Sequence, residues 1–157
     1  LIYLLPISEQ GFEIYLKEAI ISYAEEKVKA GNWIRENSLD KAAAEYGRLL
    51  PEGKSTKNNY LYEIKKEEKT IGFVWLALKT PQRGFIYDIK IFPAHQRNGF
   101  GKETLILIEE QCSKLGIEKI GLQVFPHNKR AIALYNKHGY EVTNMKMEKE
   151  IQKNNQS

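Results

Sequence analysis

Ile91-Phe92-Pro93-Ala94-His95-Gln96-Arg97-Asn98-Gly99-Phe100-Gly101-Lys102 is the stretch on which the fold turns: a strand stops at a proline and a helix starts on glycines. Pro93 has no N–H and cannot continue a central ladder, while Gly99 and Gly101 let backbone amides approach a ligand with no Cβ in the way. Free N–H groups and the positive dipole end of the following helix, with Arg97 and Lys102 beside them, suit a phosphate or pyrophosphate. A glycine pair opening a helix is equally ordinary turn chemistry, so the context has to decide.

Outward from this loop, Phe85 to Ile91 reads as the strand that feeds it. The helix behind it, from about Gly99 to Leu115, carries Leu105, Ile108, Cys112 and Leu115 on one stripe and ends at Gly116. Cys112 therefore reads as a core residue. Upstream, Tyr60 to Lys66 and Thr70 to Leu78 form a hairpin around Glu67-Glu68, and the run Ile71 to Leu78 is apolar on both faces, which implies a strand covered on both sides. Leu1 to Ile7 reads as a short strand. A helix over about Glu9 to Ala30 shows Phe12, Leu16, Ala19, Ile20 and Tyr23 at helical spacing. A second, from about Ser38 to Leu50, puts Leu39, Ala43, Tyr46 and Leu50 on one side. Trp33, between the two, reads as a plug over their junction rather than a substrate contact. Downstream, Glu118 to Phe125 is a strand stopped by Pro126, Asn128 starts a helix ending at His138-Gly139, and Tyr140 to about Glu150 is a final strand before a polar tail.

The order β, α, α, β, β, β, α, β, α, β describes an α/β (α+β) fold with a mostly antiparallel sheet and helices on both faces. The helical crossover after the glycine loop makes one strand pair parallel. A chain of 157 residues, 42% of them apolar, supports one domain, read as residues 1–150 with a polar tail at 151–157. A net charge of +4 without a long basic run gives nucleic-acid binding little support. A single cysteine excludes an internal disulfide and suits a reduced compartment. No apolar run approaches membrane-spanning length, and the expectation is a soluble, cytoplasmic protein with no membrane partner.

Two better-known phosphate loops fail on position. A Walker loop needs Gly where Gln96 stands and Ser or Thr where Glu103 stands, and a dinucleotide fingerprint from Gly99 needs a third glycine where Thr104 stands. What remains, Gln96-x-x-Gly99-x-Gly101 after a strand ending at Pro93, resembles the coenzyme A pyrophosphate loop of the GNAT superfamily of acyl-CoA-dependent N-acyltransferases. The segment Asn128-Lys129-Arg130-Ala131-Ile132-Ala133-Leu134-Tyr135-Asn136-Lys137-His138-Gly139-Tyr140 is similar to that family's second signature. The resemblance is specific from Ile86 to Tyr140 and architectural before it. It implies a GNAT-like fold in which the two parallel strands splay apart and the pantetheine arm of the cofactor enters the gap.

Position by position, the resemblance implies that Ile89, Lys90 and Ile91 offer backbone to the pantetheine. It also implies that Gln96 fixes the loop, that Arg97, Asn98, Gly99, Phe100, Gly101 and Lys102 hold the pyrophosphate, and that Asn128 contacts the pantetheine arm. Asn128 equally suits a helix N-cap. Tyr135 corresponds to a tyrosine whose hydroxyl sits near the cofactor sulfur; seven residues after Asn128, it shares a helix face with it. Taken alone, it is as easily a packing residue.

The implied chemistry is direct transfer of an acetyl group from acetyl-CoA, the co-substrate, to a primary amine of a small-molecule or peptide acceptor that no motif identifies. A lysine-like amine, with a pKa of about 10.4, must lose a proton to attack, and the departing thiolate, about 8.5 when free, must gain one. Tyr135 is the catalytic candidate for the second step, and backbone N–H groups at the end of the glycine-loop strand for polarising the thioester carbonyl. Some relatives place a glutamate base where this chain has Gln123, which cannot accept a proton usefully. Asp88 is the remaining nearby carboxylate, as base directly or through water, or as a structural hydrogen-bonding group. His95, His127 and His138 read as loop or cap residues, and their spacing suggests no metal site. The alternative reading is a non-catalytic acyl-CoA-binding or regulatory domain, and a homodimer stays open.

Overall fold

Sheet burial starts from the apolar run in the third strand. The structure, a computed structural model, describes residues 1–153. β1 (Ile2–Pro6), β2 (Asn59–Lys66), β3 (Lys69–Thr80), β4 (Arg83–Ile91) and β5 (Lys119–Leu122) form one sheet in the order β1-β2-β3-β4-β5. The first three pairings are antiparallel, and β4 with β5 is parallel. Ile71 to Ala77 is continuously buried at the centre, as a strand covered on both sides requires. Phe73 and Trp75 pack with Phe12, Tyr15, Ala19 and Tyr46 from α1 (Glu9–Lys29) and α2 (Ser38–Leu49). Val74 and Leu76 turn to the opposite face, against Leu105, Ile108 and Cys112 of α3 (Phe100–Lys114). The crossover through α3 is what makes β4 and β5 parallel.

Local chemistry sets the helix starts. Ser8 caps α1, its hydroxyl accepting from the Gly11 amide at 3.0 Å. Asn128 caps α4 (Lys129–Lys137), its Oδ1 accepting from the Ala131 amide at 3.3 Å. Cys112 is buried as the periodicity implied, and burial pushes its thiol up to about 11, which makes it an inert core group. Trp33 packs edge-on to Tyr23 at 5.5 Å, over the junction of α1 and α2.

The helix stripes differ from the expected ones in two places. Tyr15, absent from the expected stripe of α1, is buried beside Phe12 and Ala19. In α2, Leu39 is 54% exposed and Ala43 also faces water, while Ala42 and Tyr46 carry the buried side. Just upstream a 3-10 turn over Arg35–Asn37, with the Ser38 hydroxyl donating to the Arg35 carbonyl at 2.8 Å, leads into this helix.

The fifth strand is shorter than the expected Glu118 to Phe125: it pairs with β4 only from Lys119 to Leu122. The expected final strand, Tyr140 to Glu150, does not form. Among the described residues these positions join no ladder, and Val142, Met145 and Met147 are 68%, 74% and 86% exposed. Val142 and Met145 are three residues apart, out of step with an alternating strand, and a strand without a partner edge has no stability in water. Residues 151–153 of the expected tail are exposed and irregular, and 154–157 lie outside the described residues.

Candidate active site

A bulge in β4 builds the site. Opposite β3, Asp88 pairs with Trp75 and Ile86 with Leu76, so Tyr87 is an extra residue in the ladder. The extra residue resets the alternation. Tyr87 stacks on Trp75 at 4.3 Å, and Asp88, opposite the same Trp75, also turns toward α1 and α2. Ile89 and Ile91 return to the α3 side. On its other flank β4 loses β5 at the same place, since Ile86–Leu122 is the last parallel pair. Beyond it, β4 runs on to Ile91 without β5, and Tyr87 to Lys90 line a cleft of about 570 Å³ that Ile91 does not reach.

Five of the expected site residues meet in that cleft: Asp88, Ile89, Lys90, Asn128 and Tyr135. Tyr15, whose role the sequence did not reveal, donates its hydroxyl proton to Asp88 Oδ2 at 3.0 Å. Burial raises the Asp88 carboxyl above its ordinary range; the Tyr15 hydrogen bond, the Lys90 ammonium and the Ile89 amide hold it back in part. Burial and then the Asp88 charge raise Tyr15, Tyr46 and Tyr135 in turn, so all three phenols stay protonated around one carboxylate. Asp88 is thus a strengthened base, and Tyr135 a phenol that holds its proton at neutral pH. Tyr15, Ala19 and Tyr23 lie four residues apart along α1, and that spacing was the available signal for a buried hydroxyl on its inner face.

The opening toward α1 and α2 is aromatic. Tyr23, Tyr46, Trp75, Phe85, Tyr87 and Phe125 line it. Lys79 lies over the Tyr87 ring at 4.5 Å, and Lys27 sits within 6 Å of the Tyr23, Trp33 and Phe125 ring centres, at 5.6, 5.5 and 5.9 Å. Glu26 of α1 contacts His127 of the segment between β5 and α4, which ties the two sides of the cleft mouth together. Gln123 also lines the cleft, as an amide with no base function.

The glycine loop lies past the end of β4, and Gln96 to Lys102 are not among the residues that line the cleft itself. Gln96 Nε2 donates to the Ile91 carbonyl at 2.9 Å and ties the loop to the strand. Arg97 and Gly99 take left-handed backbone conformations, φ 65° and 78°. Among the described residues, no backbone hydrogen bond is donated by the amides of 97 to 102, so a row of N–H groups at the start of α3 stands open to an anion. A Cβ at Gly99 would meet nothing within 4 Å, whereas one at Gly101 would meet Leu134 of α4 at 3.2 Å.

The Acetyltransferase (GNAT) family profile matches residues 16–140 of this chain, which takes in both glycine loop and cleft. The chain belongs to that family. Among relatives, YycN of Bacillus subtilis (strain 168), an uncharacterized N-acetyltransferase, is 34% identical over 154 residues, covering 96% of this chain and 99% of YycN. YdgE of the same organism, likewise an uncharacterized N-acetyltransferase, is 28% identical over 149 residues, covering 92% and 95%. A crystal structure of B. subtilis YycN matches with a TM-score of 0.93 at 32% identity, covering 98% of this chain and 100% of that one. PaiA N-acetyltransferase of Thermoplasma acidophilum, solved in complex with coenzyme A, shares the fold with a TM-score of 0.70 at 20% identity, covering 93% of each chain. The protein is a GNAT acyltransferase with the mixed sheet, parallel β4–β5 pair and flanking helices of that fold. Among the described residues no group of His, Cys, Asp and Glu is arranged to hold a metal ion, and no helix is long and apolar enough to cross a membrane.

Proposed function

We propose that this GNAT enzyme moves an acetyl group directly from acetyl-CoA to a primary amine. The observation that carries the reading is the Tyr87 bulge. It turns Asp88 into the cleft that Tyr135 and Asn128 also line, at the place where β4 parts from β5. The residues fit the co-substrate: an extended backbone without its neighbour strand suits an amide-bearing arm, and the open amides of 97 to 102 suit a pyrophosphate. When bound, acetyl-CoA supplies an acyl carbon open to attack and a thiol leaving group.

Arg97 through Lys102 hold the pyrophosphate, with Gln96 fixing the loop, and Ile89, Lys90, Ile91 and Asn128 hold the pantetheine. Backbone N–H groups at the end of β4 polarise the thioester carbonyl. Asp88 takes the proton from the incoming ammonium, directly or through water, and its burial makes it better suited to that step than a free carboxylate. Tyr135 gives its phenolic proton to the sulfur as the carbon–sulfur bond breaks, and recovers one from solvent. The acceptor enters over the aromatic wall on the α1 and α2 side.

Acetyl-CoA is expected to raise the melting temperature while ATP and NAD at equal concentration do not, because a ligand of the folded state stabilises it by mass action. Thiol release should follow when an amine panel is added. Equal shifts from all three nucleotides, or no thiol release with any amine, would contradict the assignment.

A further inference from the structure

The charges along the cleft are only partly matched within the chain. Glu26, Lys27, Glu45, Lys79, Asp88 and Lys90 line it. Glu26 contacts His127, Glu45 accepts from Arg48 at 2.5 Å, and Lys90 lies 3.4 Å from Glu18. Asp88, Lys27 and Lys79 have no partner of opposite charge within 4.0 Å among the described residues. Both lysines rest on aromatic rings instead. Lys27, half-buried on α1, sits 5.6 Å from the Tyr23 ring centre and 5.9 Å from that of Phe125. Lys79, exposed near the end of β3, lies 4.5 Å from the Tyr87 ring centre and donates to the Tyr87 hydroxyl. A ring face steadies an ammonium but leaves its charge whole and most of its donors available. The Tyr23, Tyr87 and Phe125 side chains are half-buried, so this wall has apolar surface still to cover.

Backbone positions separate the two signs of charge. Lys79 is four residues along β3 from Trp75, the residue paired with Asp88, which is roughly 13 Å of strand. Lys27 is about 18 Å along α1 from Tyr15, which touches Asp88. The phosphates of the co-substrate do not account for Lys79. It lies beside the Arg83 end of β4, and the glycine loop follows the Ile91 end, roughly 26 Å of strand away.

We propose, on the footing of the acetyl transfer, that the acceptor is a zwitterion: a primary amine on a flat apolar body whose other end carries an anionic group. The ammonium end meets Asp88, the body lies along Tyr23, Tyr87 and Phe125, and the anion meets Lys27 and Lys79. Each end of the acceptor then answers a charge that the chain itself leaves unmatched. A neutral-bodied amine leaves both lysines unanswered, and a diamine or polyamine brings a second ammonium against them.

The test uses four phenethylamines that share the amine and the ring and differ at the para position: carboxylate, phosphonate, carboxamide and aminomethyl. Calorimetric titration into the protein loaded with coenzyme A measures binding without turnover. At low ionic strength the tighter of the two anionic compounds, which identifies the anion, should bind about tenfold better than the carboxamide, the worth of one charge-assisted hydrogen bond. The aminomethyl compound should bind most weakly. Carboxamide binding as tight as that of both anions, tighter binding of the aminomethyl compound, or no binding by any of the four overturns the proposal. Lys27→Glu with Lys79→Glu should invert the order, placing the aminomethyl compound first, while Lys27→Arg with Lys79→Arg keeps the parent's order. An order unchanged by the two glutamates also overturns it, since the lysines then do not read the acceptor. Thiol release from acetyl-CoA with the same compounds separates this recognition from the transfer. Anion preference in binding with no thiol release contradicts the transfer and leaves the zwitterion site standing, whereas thiol release without any preference contradicts the zwitterion site alone.

Discussion

The chain before Cys112 and the chain after it are built differently, and residues of both line the cleft. Before it, β1 to β4 and three helices enclose two buried clusters, one on each face of the sheet. After it, no described residue of β5, α4 or the segment that follows is fully buried. The first part is held by its own packing. Asp88 stands on the packed side, on a strand locked by the Trp75–Tyr87 stack, and Tyr135 stands on the open side. In the proposed mechanism the base therefore sits on a strand of the packed part and the acid on a helix of the less buried part.

The sharpest way to break this contrast is by truncating one aromatic residue on each side. Trp75 is 1% exposed, and its indole N–H donates to Asn59 Oδ1 at 2.8 Å. Trp75→Ala should cost about 3–5 kcal/mol in urea unfolding, the range for large core truncations. Phe125→Ala, on the half-buried side, should cost about 1 kcal/mol. Equal losses would show that the second part is packed as firmly as the first.

Gly101→Val probes the seam itself, where the start of α3 meets α4. The new side chain presses on Leu134, 3.2 Å from the Cβ position, and crowds the amides that face the phosphate. A flexible leucine can give, so the expected loss is mainly in binding. One charge-assisted hydrogen bond is worth about 1.5–3 kcal/mol, which makes acetyl-CoA affinity about tenfold weaker or more in a titration. Unchanged affinity would remove Gly101 from the phosphate site.

The smallest effect is electrostatic. Burial raises the Asp88 carboxyl above its unfolded value, so the folded state binds the extra proton. Its contribution to stability is then whole below the unfolded value near 3.8 and is lost as pH rises through the folded one. Asp88→Asn carries no such charge. Its melting temperature relative to the parent should therefore climb by a few degrees as pH rises from that value toward neutrality. A difference that is flat with pH would mean that Asp88 is not held under strain.

The glycine loop and the Asn128 to Tyr140 segment were legible because their chemistry is local: which residue follows a proline, which opens a helix, which caps one. The covered central strand was legible from its unbroken apolar run. Two features were not. The bulge at Tyr87 depends on how β4 pairs with β3, and no residue type announces it. Tyr15 reaches a carboxylate 73 positions away, so nothing near it in the chain reveals the contact. Residues 140–150 were read as a final strand, and that strand does not form: a strand needs an edge, and pairing is not a property of one segment.

The account rests most heavily on Tyr135 as the proton donor to the departing sulfur. Tyr135→Phe keeps the ring that packs on Tyr140 and removes only the hydroxyl. An interaction made as the bond breaks lowers kcat and leaves acetyl-CoA affinity nearly untouched. General acid assistance is worth roughly 10²–10⁴-fold, and single-turnover kinetics expose it even where product release limits steady-state rates. With enzyme in excess over acetyl-CoA and a saturating acceptor, the variant should transfer acetyl slower by that factor while binding acetyl-CoA as tightly as the parent. Transfer at the parent's rate across the pH range would make Tyr135 a packing residue and contradict the account.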